Sequence, residues 1–226
     1  MAAWEFTEPS LQDVVSELAA EGSTQIIVAP FFLFDGKHIK EEIPEVLDEL
    51  RAKYPQISLG YGHTLGFDRR LVSLATERIH QGLTGDICAQ PCDHLKRDDL
   101  GVVFVNRGSH VEYDPGDRLR ELARTIENNL GGRVPVLPAQ AEYTTPKIGD
   151  RIDELVAAGK STIVVLPYIF FPGKVLNVNI LPPTEEARLR HPSITFHVAP
   201  TLGVDDRIIE LAWERAQEAL EQPVAR

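Results

Sequence analysis

Long apolar runs are missing from these 226 residues, and none approaches the roughly 18 that a membrane-spanning helix needs. The opening residues also lack the basic-then-apolar layout of a secretory signal, so the expected location is cytoplasmic. Cysteine is scarce: Cys88 and Cys92 are the only two, too few for a disulfide framework. Basic residues are the minority, 23 Lys and Arg against 34 Asp and Glu, for a formal charge of −11. That balance argues against broad binding to nucleic acid or to acidic membrane surfaces. An anionic small ligand would need a locally basic pocket.

The chain contains a long internal repeat, which has to be recognised before elements are assigned. Residues 5–79 align with residues 142–216 without a gap, at a constant offset of 137, with 28 identities in 75 positions. EFTEPSLQDVVSELAAEG in the first copy answers to EYTTPKIGDRIDELVAAG in the second, and HTLGFDRRLVSLATERI to PTLGVDDRIIELAWERA. The pattern expected is two homologous lobes.

Within the second copy, apolar runs alternate with amphipathic stretches. GVVFVN, RVPVLPA, STIVVLPYIF and SITFHVA read as strands. Helices are expected over 115–129, from Pro146 to Gly159, over 182–190 and over 205–219. Proline suits a first helical position and so opens the second of these. Strands alternating with helices at this spacing predict an α/β fold with parallel sheets covered on both faces, each lobe flavodoxin-like. The first copy starts at the equivalent of the second lobe's second strand, around Trp4. It continues with helices over 9–20, 37–53 and 68–80 and strands TQIIVAPFF and ISLGY. Nothing in it corresponds to residues 101–140, so the first lobe is expected to be N-terminally incomplete. The expected domains are a first lobe at 1–82, a linker at 83–100 and a complete second lobe at 101–226.

One difference between the copies carries the chemistry. PFFLFDGKHIKEEIP, residues 30–44, ends an apolar strand and then presents His38, Glu41 and Glu42. The matching PYIFFPGKVLNVNILP, residues 167–182, has Val175 where His38 stands. Turns at the carboxyl ends of parallel strands are where ligands of such sheets bind. One copy has kept polar groups there and the other has not.

The order E-F-x-E-P-S, a strand, F-L-F-x-G-x-H with I-P further on, and then x-L-G resembles the CbiX-type sirohydrochlorin chelatases, the class II tetrapyrrole chelatases. The long members of that family carry R-G-S after the first strand of the second lobe and G-x-L in place of G-x-H. Here those positions hold Arg107-Gly108-Ser109 and Gly173-Lys174-Val175-Leu176. The resemblance covers nearly the whole chain. It implies a lyase that inserts Co2+ or Fe2+, with Ni2+ a further option, into sirohydrochlorin on the way to cobalamin or sirohaem. No prosthetic group is implied, because the divalent metal is a substrate. Position by position, the family's metal-site glutamate falls on Glu5 and its second histidine on His38. Family members also open with a strand ending in G-H-G-S, whose histidine has no counterpart here. The sequence is then a truncated form, or a partner supplies the segment, or activity is reduced or lost.

Metal insertion needs a loosely held ion and a base that accepts pyrrole protons. Histidine serves both roles, with an unperturbed pKa of about 6.5 and an imidazole that ligates Fe, Co and Ni. The assignment is His38 as ligand and base, Glu5 as co-ligand and catalytic partner, and Glu42 as supporting carboxylate in the metal set. Glu42 lies four residues after His38, on the same helical face. The bland alternative is that His38 caps the helix starting there. For an anionic tetrapyrrole, the turn Arg107-Gly108-Ser109 and the equivalent lysines Lys37 and Lys174 are the binding candidates. Each lysine could equally be a solvated surface charge.

Other groups weigh less. His63 and His110 are marginal, and Phe34, Phe170 and Phe171 are better read as core. Cys88, Cys92 and His94 do not complete a tetrahedral metal site, and a linker is the better reading. The rival to the enzyme is a non-catalytic tetrapyrrole- or metal-binding homologue. A homodimer across an open sheet edge is a third option. No nucleic-acid or membrane partner is expected.

Overall fold

The computed structural model describes residues 8–85, 97–108 and 115–221. Among these residues six strands and seven helices alternate: α1 (Leu11–Ala20), β1 (Gln25–Val28), α2 (Ile43–Lys53), β2 (Ser58–Tyr61), α3 (Arg69–Thr84), β3 (Leu100–Asn106), α4 (Pro115–Asn129), β4 (Val136–Gln140), α5 (Ile148–Ala157), β5 (Thr162–Pro167), α6 (Leu181–Arg190), β6 (Thr195–Val198) and α7 (Asp206–Glu221). Every strand pairing among the described residues is parallel. β1 and β2 make a two-stranded sheet, and the other four strands run in the order β4-β3-β5-β6. No helix among the described residues is long and apolar enough to cross a membrane.

Contacts divide the chain into two compact units, Met1–Gly66 with Glu210–Arg226, and Phe67–Ile209. The domain limits expected from the repeat, 1–82, 83–100 and 101–226, follow sequence, whereas the spatial grouping cuts elsewhere. The helix that closes the first copy, α3, packs on β5 and β6 in the larger unit. Most of α7, which closes the second copy, belongs to the unit of β1 and β2.

The larger unit is layered. Val103, Val105, Ile163 and Val165 point to one face of its sheet and share a core with Ile148, Ile152 and Leu155 of α5 and Ala187 of α6. Alternate strand residues such as Val102, Phe104 and Val164 point the other way and are also fully buried, as period-two geometry demands. β5 is buried at every position, which is why it reads as a continuous apolar run. In the smaller unit Leu11, Val15, Ile26, Ile43, Leu47, Leu50 and Leu59 form the core. Each such side chain contributes about 1.5–3 kcal/mol on burial.

Several boundaries differ from the sequence expectation, for local reasons. β1 stops at Val28 rather than running to Phe32, and β5 stops at Pro167. Pro30 and Pro167 are equivalent, and proline cannot donate to a ladder. α1 and α5 start two residues after Pro9 and Pro146. Ser10 caps α1, its Oγ accepting from Asp13 N–H, and at the start of α5 Lys147 N–H donates to Asp150 at 3.0 Å. The strand expected around Trp4 lies outside the described residues.

Candidate metal-insertion site

Both helices that follow the motif loops begin with a wide turn. Ile43 N–H donates to His38 C=O, and Leu181 N–H to Leu176 C=O, each five residues back. Proline explains the widening: Pro44 and Pro182 lie in the first turn of α2 and α6, lack a donor, and would clash with the carbonyl four residues earlier. Such π-turns recur at functional sites. Lys37 and Lys174 head the two turns with the same backbone angles, φ −54° and ψ −44°.

In the first turn the side chains form a compact charged set. His38 Nδ1 lies 2.5 Å from Glu42 Oε2, and Lys37 Nζ lies 3.0 Å from Glu42 Oε1. An ionised carboxylate only accepts, so Nδ1–H is the donor in this contact, and ligation or proton uptake falls to Nε2. The hydrogen bond from His38, and then that from Lys37, hold the Glu42 carboxyl below the usual glutamate range. Glu42 in turn raises the Lys37 ammonium. His38 keeps 29% of its side chain exposed, and its ring lies 6.3 Å from that of Phe32. Lys37, the N-cap residue of this turn, makes no side-chain cap hydrogen bond.

The loop carrying His38 is laced to the loop after β2. Thr64 Oγ1 donates to Asp35 Oδ1 at 2.8 Å, and Lys40 Nζ pairs with Asp35 Oδ2 at 2.7 Å. Tyr61 OH donates to Ile39 C=O at 3.1 Å, with burial and the nearby Asp35 keeping the phenol protonated. Leu65 N–H and Gly66 N–H bond the carbonyls of Phe32 and Leu33. The sequence reading passed over Asp35 and Tyr61 as site-builders. Their signal was present at the 137 offset, where Pro172 and Val198 stand in their places.

The second turn is apolar where the first is charged. Val175 and Asn179 occupy the His38 and Glu42 positions, and Asn179 Oδ1 is buried with no hydrogen-bond partner. Lys174 is exposed. At the carboxyl end of β3, Arg107 pairs with Glu142 at 3.3 Å. Gly108 has φ +92°, and a Cβ there would stand 2.7 Å from Glu142 C=O, so only glycine suits that bend. His63 is exposed after β2. Phe171 is 53% exposed, which corrects its reading as core: its loop has left the sheet after Pro167.

His38, Glu42 and Lys37 are thus together, whereas Lys174, Arg107 and Gly108 belong to the larger unit. Glu5, Ser109, His110, Cys88, Cys92 and His94 lie outside the described residues. Among the described residues no group of three His, Cys, Asp or Glu could hold a metal ion.

The chain is similar to a sirohydrochlorin cobaltochelatase of Priestia megaterium, 25% identical over 97% of this chain and 69% of the relative. It is also similar to the sirohydrochlorin ferrochelatases of Priestia megaterium and Bacillus subtilis, 26% and 28% identical over 76% of this chain. It spans 60% and 61% of those two proteins' lengths. Among solved structures, SirB from Bacillus subtilis with Fe3+ matches 96% of this chain and 80% of its own at a TM-score of 0.72 and 23% identity. The sirohydrochlorin chelatase SirB from Bacillus subtilis subspecies spizizenii in complex with cobalt matches 98% and 80%, also at 0.72, with 22% identity. These two establish the shared fold. With residues 1–82 and 101–219 both matching the CbiX profile, the chain belongs to the CbiX family.

Proposed function

We propose that the protein is a sirohydrochlorin chelatase, a lyase that places Co2+ or Fe2+ into a sirohydrochlorin-type tetrapyrrole for cobalamin or sirohaem. The observation that carries this reading is the 2.5 Å contact of His38 Nδ1 with Glu42. A carboxylate behind an imidazole sets its tautomer and raises the basicity of the distal nitrogen, as it does for metal-ligating histidines. His38 Nε2 would bind the incoming ion loosely and accept a proton as the macrocycle ligates it. The balance is one divalent ion in and two pyrrole protons out, with no redox step. Glu5 is assigned as co-ligand, and Glu42 acts through His38 because both of its oxygens are already engaged. Arg107, Gly108, Ser109, Lys37 and Lys174 are assigned to the substrate's carboxylates. The relatives' printed activities support the substrate class.

The test is the absorbance change of metal insertion. Wild type should accelerate it, His38→Ala should slow it by about 10²-fold or more, and Glu42→Gln by about 10- to 100-fold. Wild type no faster than the spontaneous reaction sinks the enzymatic reading. A second reading, a non-catalytic homologue that binds tetrapyrrole or metal, is favoured by the lack of a three-ligand group among the described residues. It predicts binding without acceleration.

A further inference from the structure

The two wide turns differ by one residue in length, His38–Glu42 against Val175–Ile180, and the difference has a chemical cause. In such a turn a carbonyl accepts from the N–H five residues on. In the second copy Leu176 C=O receives Leu181 N–H in this way. The matching carbonyl of the first copy belongs to Ile39, and the residue five on is Pro44, which has no N–H to give. Ile43 N–H, one residue earlier, is drawn to His38 C=O. The Ile39 carbonyl is left to a donor from outside the turn.

Tyr61 supplies that donor, its OH lying 3.1 Å from Ile39 C=O. It is the last residue of β2, and its ring packs against the core cluster that contains Ile39 and Leu59. Ile39 is 6% exposed, so the carbonyl sits where an unmet hydrogen bond is costly. At the 137 offset Pro44 becomes Leu181 and Tyr61 becomes Val198. The two positions change together: the copy that keeps the backbone N–H has no hydroxyl, and the copy that loses it to proline has a phenol.

We infer that Tyr61 is a positioning residue for metal insertion. Its hydroxyl takes the place of the N–H that Pro44 lacks and fixes the turn that presents the His38 imidazole. It acts through the carbonyl next to His38 rather than on the ion or the macrocycle, and a strand end seated on the core is a firmer anchor than a loop. The inference rests on His38 being the ligand and base of the proposed reaction.

A double-mutant cycle over positions 44 and 61, read by insertion of Co2+ into sirohydrochlorin, tests it. Tyr61→Phe should lower kcat by at least about tenfold, as a small displacement of a reacting group does. KM for the tetrapyrrole should stay within about twofold, since no binding contact is removed. In a Pro44→Leu background the same change should cost less than about threefold, because the restored N–H at position 44 takes over the Ile39 carbonyl. Amide exchange at position 44 gives a readout that needs no catalysis, and it should be slow in the double variant. That variant has its carbonyl satisfied, so the test stands even if Tyr61→Phe alone does not fold. A Tyr61→Phe rate equal to wild type overturns the inference. So does an equal loss in both backgrounds, or fast exchange at position 44. Wild type no faster than the spontaneous reaction removes instead the enzymatic reading beneath it, and exchange at position 44 then judges the swap of donors by itself.

Discussion

A Cβ on Gly82 would stand 2.9 Å from Ala199 Cα, so α3 approaches the end of β6 as closely as a backbone allows. The equivalent residues exchange roles in the smaller unit: a Cβ on Gly62 would meet Ala219 Cβ at 3.2 Å and Arg215 C=O at 3.3 Å. Both closing helices seat on their sheets through a glycine opposite an alanine.

Gly82→Val should therefore destabilise the protein by about 1–3 kcal/mol, the range for overpacking a closed contact. Gly62→Ala should cost less, because its nearest clash is with a methyl group rather than with a Cα. Urea midpoints of the two variants against wild type give the ranking. Equal midpoints for Gly82→Val and wild type would show that α3 does not pack this closely.

Glu42 makes a pH-dependent contribution whose sign is set by its partners. Its folded carboxyl is held below its unfolded value, mainly by His38 and then by Lys37. The stabilisation is therefore complete above the ordinary glutamate value of about 4.3 and is lost as the pH falls through the lower folded value. Glu42→Gln should be less stable than wild type at pH 7 by under about 1 kcal/mol, since the pair is partly solvated. Denaturant midpoints should converge below pH 3, and a gap that persists in acid would contradict the pairing.

Gly108 and Gly131 both have positive φ, +92° and +85°, but only Gly108 is crowded, by Glu142 C=O at 2.7 Å. Gly131→Ala should cost about 1 kcal/mol for left-handed backbone alone. Gly108→Ala should cost about 1–3 kcal/mol more, and it should also disturb the Arg107–Glu142 pair beside it. Thermal melts separate the two, and equal losses would argue against the close approach.

Arg207 bridges α7 to α3 inside the larger unit, with Nη2 2.8 Å from Glu77 and Nε 2.7 Å from Asp205. Arg78 anchors the same corner by donating to Leu202 C=O at 2.9 Å. Arg207→Ala should destabilise by about 1–3 kcal/mol, the cost of stranding half-buried partners. Asp205 is held below the usual aspartate range, chiefly by Arg207. The penalty should accordingly be full above about pH 3.9 and shrink as acid protonates Asp205. Chemical denaturation at pH 7 and pH 3 tests both parts.

Much of this was legible in the residues themselves. Strand–helix alternation and the continuous apolar run of β5 announce buried parallel strands, and the 137 offset exposes His38 as the odd residue in a repeated loop. The pair of His38 with Glu42 follows from a four-residue spacing. Its tie to Lys37 does not, because a flexible lysine can reach several carboxylates and only the fold chooses one. The wide turn under His38 needed both Pro44 and the competing hydrogen bonds around it.

The sequence by itself determined that each closing helix must bury an apolar face and that the His38 loop is the chemically distinct one. It did not determine which sheet each helix covers. The two copies are so alike that α3 and α7 carry the same inward pattern, and an apolar stripe specifies burial without specifying a partner. Tertiary structure made that choice, placing α3 with β5 and β6 and most of α7 with β1 and β2. It also left Trp213 facing solvent where its counterpart Thr76 is covered.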